Sequence, residues 1–320
     1  MKLLSVAKLV RVSALPSALA DVFGGMALAY ALAGRASFTV HLGRLPWLIL
    51  ASLGVYLGGM ALNDVMHARK DALLRKQRPI VTGEVSWSQA WVVMAVLFAA
   101  GLLGGWLAGV AGWVAALIVL VFLYNWLAIG RIQGARVSQP FARAAAGVAV
   151  IALCRALHVS LPLLACGRLE LLVHQEAWRL FAASVFLYFC LVTIVSLFED
   201  SGGGKAALRT VAWLLYAAVL VFPAYLLGQP GSAHSPVLGV FVPLAVLAWL
   251  LVMLQRLLDT ARREPTPPNL GRTVGAGIRG ECLLMCGFAL LLVPQQPLWG
   301  LLALACYPVG RVLSVWVSPT

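Results

Sequence analysis

Apolar runs of about 17 to 25 residues, each long enough to cross a bilayer's hydrocarbon core as a helix, alternate with short polar stretches along the whole chain. They fall at roughly 14–33, 46–66, 88–107, 110–130, 141–164, 179–199, 206–227, 236–258 and 276–294, and a shorter run near 298–317 is a candidate tenth. No polar stretch is long enough to form a soluble domain. The pattern therefore predicts a single all-α unit over residues 1–320, a polytopic bundle of about nine transmembrane helices. The first run follows Lys2, Lys8 and Arg11, as a signal peptide would, but Asp21 and the nearby glycines suit a retained helix better. Small residues such as Gly58-Gly59, Gly101 and Gly104-Gly105 permit close helix approach. The longer polar loops, 67–87, 131–140, 200–206 and 259–275, all belong to one membrane side. In the last of these, Glu264, Pro265, Pro267 and Pro268 predict a break in helix and a mobile connector.

One polar cluster stands at the end of the second run, where lipid does not tolerate polar groups without a reason. It reads Asn63-Asp64-Val65-Met66-His67-Ala68-Arg69-Lys70-Asp71, with Arg78-Pro79-Ile80-Val81-Thr82-Gly83 close behind. On a helix advancing about 100° per residue, Asn63, His67, Asp71 and Asp64 fall at about 0°, 40°, 80° and 100°, so a single face is expected to carry all four. An amide and carboxylates converging at the mouth of a bundle are the oxygen donors that Mg²⁺ takes when it also holds substrate phosphates. A diphosphate substrate is the expectation.

Composition agrees with the pattern: 62% of the residues are hydrophobic and 11% charged, which is membrane-protein usage. A net charge of +13 would also suit a nucleic-acid partner, so the placement of the basic residues decides. Counted helix by helix, 19 of the 24 lie on the starting side and four (Arg35, Arg44, Arg168, Arg179) on the other, with Arg155 inside a helix. This is the positive-inside asymmetry. It predicts an inner-membrane protein whose N-terminus and polar loops are cytoplasmic, and it accounts for the charge by topology and lipid contact, with no nucleic acid. The six cysteines lie in or beside apolar runs without the spacing of a zinc site, so core packing is expected.

A second cluster, Ser196 to Lys205, closes the sixth run with adjacent acids, Glu199 and Asp200, followed by Gly202, Gly203 and Gly204. Negative charge is disfavoured at a helix C-terminus, so a cation partner is expected, Lys205 or a metal ion. Arg155 is either a bidentate phosphate ligand or the partner of a carboxylate in one of the two clusters. His158 follows one turn later. Tyr124 and Asn125 sit similarly inside the fourth run, and aromatic residues such as Trp113, Phe122 and Trp126 could line an apolar tunnel or pack against lipid.

The Asn63 to Gly83 segment resembles the first signature of the UbiA superfamily of membrane prenyltransferases, an NDxxDxxxD run followed by RPxxxG. Leu15-Pro16-Ser17-Ala18-Leu19-Ala20-Asp21, Tyr124-Asn125, Cys154-Arg155-Ala156-Leu157 and Glu199-Asp200 are most similar to its EboC-like branch. The resemblance implies a helical bundle around a central cavity, with two acidic motifs that bind a prenyl diphosphate through Mg²⁺ while an acceptor is alkylated. Its carry-over makes Asn63, Asp64, Asp71, Glu199 and Asp200 metal ligands, with Asp64, Asp71 and Asp200 catalytic. His67 stands where the family has its middle aspartate and is counted with the metal ligands, and Gly203 and Gly204 stand near where another carboxylate is usual. Substrate contacts are assigned to Lys70, Arg78, Arg155, His158, Tyr124, Asn125 and Lys205. The acceptor is not readable. A non-catalytic carrier that kept the fold is the alternative; a CDP-alcohol phosphotransferase is opposed by the absence of its motifs.

Overall fold

The computed structural model describes residues 2–34, 42–74, 77–129, 131–133, 136–138, 140–167, 175–199, 204–229 and 236–317. Its helices are α1 (Leu3–Leu9), α2 (Leu15–Ala33), α3 (Leu45–Leu74), α4 (Trp87–Ala108), α5 (Ala111–Leu127), α6 (Phe141–Ala165), α7 (Glu176–Ser196), α8 (Lys205–Leu227), α9 (Val242–Arg263), α10 (Pro267–Leu292) and α11 (Leu298–Trp316). Among the described residues nine helices are long and apolar enough to span a membrane, and α5, with 17 residues, returns the chain between α4 and α6. The protein is a multi-pass membrane bundle. A two-stranded hairpin, β1 (Arg131–Gln133) paired antiparallel with β2 (Arg136–Ser138), closes the α5–α6 loop.

Six of the eight exposed tryptophans lie near helix ends, while Trp213 and Trp249 lie farther inside α8 and α9. Trp87, Trp126 and Trp316 stand at the helix ends on one face, and Trp47, Trp106 and Trp113 at the ends on the other, as the amphipathic indole prefers at lipid–water boundaries. Between these girdles α2 and α10 form the buried centre, and Phe181, Phe222 and Phe288 pack their rings 4.9 to 5.6 Å apart where α7, α8 and α10 meet. The small residues bring backbones together, as expected. A Cβ on Gly54 would lie 2.5 Å from Gly101 N, and one on Gly104 would lie 2.6 Å from Ala51 N. Van der Waals contact along this backbone seam is what holds α3 to α4 where lipid offers no hydrophobic drive.

Two expected loops are corrected. Helix α3 runs through the first polar cluster to Leu74, and the 259–275 connector shrinks to Glu264–Thr266. Pro267 and Pro268 occupy the first turn of α10, where the missing N–H costs no helical bond and the fixed φ favours initiation. They begin a helix there instead of breaking one.

Candidate functional site

A cavity of about 1180 Å³ opens on the face where α3, α5, α7 and α9 end and α4, α6, α8 and α10 begin. Its mouth carries Arg11, Lys70, Asp71, Arg78 and Glu199; deeper, Leu117, Val121, Val148 and Ile151 make an apolar wall, and Tyr56, Arg155, His158 and Phe189 lie toward the middle of the bundle. The cavity therefore joins a charged, mainly cationic end to a hydrocarbon-like one.

The mouth is built by three chain segments. Asn63, His67 and Asp71, one helical turn apart on α3, line the cavity, with His67 and Asp71 buried. Asp64 does not line it. The step of about 100° from Asn63 to Asp64 turns this carboxylate away from the cavity. Asp64 is 1% exposed and faces a pair of arginines: Arg11 Nη2 donates to Oδ1 at 2.9 Å, and Arg78 Nη1 lies 3.6 Å from the same oxygen. The expectation of one face carrying all four groups is thus corrected to three, with Asp64 behind them.

Arg11 also donates to Asn63 Oδ1 at 3.0 Å, and Asn63 Nδ2 donates to Asn125 Oδ1 at 3.0 Å; Asn125 Nδ2 in turn donates to Val121 O. Arg11 makes these contacts from a left-handed backbone, φ 49° and ψ 57°, at the break between α1 and α2. That conformation is strained for a side chain with a Cβ. The Arg-Pro-x-x-x-Gly segment explains how Arg78 arrives. Pro79 fixes φ just after it. Thr82 Oγ1 donates back to Arg78 O at 3.2 Å. Gly83 then turns the chain at φ 76°, and Ser86 starts α4 through a capping box with Gln89.

Of the second cluster, Glu199 lines the cavity, while Lys205 is the exposed first residue of α8 and does not. Asp200, Gly202 and Gly203 lie outside the described residues. Gly204, at φ +76°, has the Phe198 ring 2.7 Å from where a Cβ would be. Glycine is required there both by backbone and by space. Tyr124 and Asn125 both border the cavity.

Arg155 fulfils neither sequence expectation cleanly. It pairs with carboxylates, but with Asp21 (Nη1 to Oδ2, 3.3 Å) and Glu281, which belong to neither polar cluster. Its guanidinium also donates to Ser17 Oγ at 2.6 Å and lies over the rings of Phe189 and Tyr56, 4.4 and 5.1 Å from their centroids. Two carboxylates already balance its charge, although it also borders the cavity. Ser17 Oγ donates to Glu281 as well. His158 Nδ1 stands 2.6 Å from Asp21 Oδ2, and Nε2 stands 2.8 Å from Ser52 Oγ, whose own proton goes to Ala18 O. Nε2 is therefore a donor, and the Nδ1–Asp21 contact needs a further proton between its atoms. This interior cluster ties α2, α3, α6 and α10 together. Sequence reasoning misses Glu281 and Ser52 altogether and gives Ser17, though part of the Leu15–Asp21 segment, no role; an acid within the apolar α10 run is the one signal that could have found this cluster.

For a metal ion, Mg²⁺ keeps several waters and takes one or two carboxylates together with substrate phosphates. Asp71 and Glu199 supply those carboxylates at the cavity mouth, while the Asn63 amide lines the cavity about 12 Å farther along α3 and is bonded to Arg11 and Asn125. Asp64 does not line that mouth: two guanidiniums share its Oδ1, and its Oδ2 is buried without a hydrogen-bond partner among the described residues. Among the described residues no three His, Cys, Asp or Glu side chains group as a metal site, so the fit is to a hydrated ion completed by phosphate.

Comparison with known proteins agrees with this architecture. No curated protein matches the sequence. The solved structure of a digeranylgeranylglyceryl phosphate synthase in membranes superposes with a TM-score of 0.56 at 15% identity, over 91% of this chain and 98% of that one. The apo structure of a UbiA homologue from Aeropyrum pernix K1 superposes with a TM-score of 0.58 at 14% identity, over 87% and 97%. The sequence profile of the UbiA prenyltransferase family matches residues 22–274. The chain belongs to the UbiA prenyltransferase family.

Proposed function

We propose that this protein transfers a prenyl group from a prenyl diphosphate to an acceptor, within one bundle formed by residues 1–320. The observation that carries the reading is the two-ended cavity, whose cationic mouth matches a diphosphate and whose apolar wall matches an isoprenoid chain. Arg11, Lys70 and Arg78 would hold the diphosphate, and guanidiniums suit it because their planar donors meet phosphate oxygens in pairs. Asp71 and Glu199 would hold Mg²⁺, with Asp200 and Asn63 as further candidates; the ion supplies charge neutralisation to the leaving diphosphate. The side chains along α5 and α6 exclude water from the carbon that loses diphosphate until the acceptor attacks. Tyr124 and Asn125 lie where that end of the substrate would pass.

Within the family we assign the chain to the EboC-like branch, on the Leu15 to Asp21, Cys154 to Leu157 and Glu199-Asp200 segments. The placement of basic residues supports an inner-membrane protein with the cavity mouth facing the cytoplasm. A carrier that binds without turnover is the second reading, favoured by one observation: His67 takes the cavity-facing place between Asn63 and Asp71, where the family has a carboxylate.

Purified protein with Mg²⁺ and a panel of prenyl diphosphates separates the two. Transfer predicts diphosphate release by the wild type, equal or faster release by His67→Asp, and its loss in Asp71→Ala. Tight binding without release by either of the first two would establish the carrier. Absence of binding to every prenyl diphosphate would remove both readings.

A further inference from the structure

Helix α10 presents two faces. Gly271, Val274, Gly275 and Ile278 line the cavity, and Arg279, roughly 100° of helix away from Ile278, turns to the seam between α10 and α11. Arg279 lies about 18 Å along α10 from its first residue and Arg311 about 8 Å from the end of α11, at about 1.5 Å per residue. Both belong to the half of the bundle that holds the cavity mouth. Gly310 makes the space: a Cβ there would come 3.6 Å from Arg279 Cγ and Cδ and from Ser13 O, so the arginine stem runs over the glycine that precedes Arg311. Arg279 is half-buried and Arg311 exposed. The charged group that acts on Arg279 is Arg311, a like charge, and its other electrostatic neighbours are Tyr307 and Cys282. Neither arginine forms an ion pair with an acid among the described residues.

Two arginines that meet at Gly310, in the half of the bundle that holds the cavity mouth and with no acid paired to either among the described residues, are an unbalanced charge that a bilayer does not tolerate alone. Long arginine stems carry their heads toward the headgroup layer, where phosphodiester oxygens are the available anions, and a guanidinium pair recognises them by paired hydrogen bonds. We propose that Arg279 and Arg311, over Gly310, form a binding site for the headgroup of an anionic glycerophospholipid. The site lies outside the cavity and does not depend on the reaction performed there. An anionic lipid is favoured over a zwitterionic one because the choline or ethanolamine cation would restore the positive excess the site has to remove.

Native mass spectrometry of the full-length protein, released from mixed phosphatidylglycerol and phosphatidylcholine vesicles, reads the preference directly. Two basic residues near the membrane surface correspond to about a thirtyfold preference for phosphatidylglycerol. The double variant Arg279→Gln/Arg311→Gln is expected to bind both lipids alike, and Arg279→Lys/Arg311→Lys to keep most of the preference. Arg311→Gln alone, at an exposed position that leaves the fold intact, is expected to lose about fivefold. Control variant Arg209→Gln, on another helix, should match the wild type. An unchanged preference in both Gln variants would overturn the assignment, as would equal retention of phosphatidylcholine by the wild type. Displacement of the lipid by millimolar inorganic phosphate would also overturn it, marking a free-phosphate site.

Discussion

Asp64 and Asp71 stand two turns apart on one helix, yet their surroundings give them different work. Asp71 borders the cavity, and Asp64 neutralises Arg11 and Arg78 from behind. Asp71→Asn is therefore expected to weaken Mg²⁺-dependent prenyl diphosphate binding at least tenfold while leaving the thermal midpoint near that of the wild type. Asp64→Asn should show the reverse emphasis, a lowered midpoint and a weaker dependence of binding on Mg²⁺, because the buried Arg78 and the half-buried Arg11 lose their counter-charge. Isothermal titration with and without Mg²⁺, paired with a melting curve, distinguishes them; identical profiles would mean that both carboxylates act alike. The spacing of the motif was legible in the sequence and its division was not. A step of about 100° is compatible with the same face or the next, and the partner that settles it, Arg11, reads in the sequence as one more topological charge. Glu281 was invisible for a related reason: its partners Ser17 and Arg155 lie 264 and 126 residues away.

Among the elements, the turn between α7 and α8 and the short α1 carry the clearest tests. Gly204→Val forces a side chain into a left-handed backbone, at about 1–2 kcal/mol, and against the Phe198 ring. Weaker prenyl diphosphate binding should follow from the displacement of neighbouring Glu199, whereas Gly112→Ala, which meets nothing within 4 Å, should behave as wild type. Helix α1 is pinned by Glu84, whose carboxyl is held below its usual range first by the Ser5 hydroxyl, at 2.9 Å, and then by Lys8. A depressed carboxyl contributes stability above the ordinary glutamate pKa, about 4.3, and loses it as pH falls through the lowered value. Hydrogen exchange in α1 should therefore accelerate on acidification below about pH 4 while the spanning helices stay protected, since exposed pairs contribute little to the whole. Hydrophobic runs announced nearly every helix because length and apolarity are what a bilayer selects. The limits of α3 and α10 escaped, because polar residues and prolines are compatible with helix wherever a neighbouring cavity or a first turn accepts them.

At the scale of the molecule, the alternation of helices from α2 to α11 puts the α3–α4, α5–α6, α7–α8 and α9–α10 connections on one side. Single cysteines placed at Thr82 and Thr266, in a variant lacking the native thiols, should react with a membrane-impermeant reagent from the same side of sealed vesicles, and one at Gln229 from the opposite side. Labelling of Thr82 and Thr266 from different sides would dismantle the shared cavity. The interior cluster also has a bearing on how the chain is made. Asp21 enters the membrane on the first spanning helix, but His158, its closest partner, is synthesised 137 residues later. Arg155 arrives on the same late helix and Glu281 later still. Helices α2 to α5 must be inserted while that carboxylate has no native counter-charge. Nascent chains stopped after α5 are accordingly expected to hold α2 loosely, still open to chaperones and proteases, and those extended past α6 to lock it in place. The biosynthetic checkpoint of this bundle is its sixth helix, wherever the chemistry of the finished protein resides.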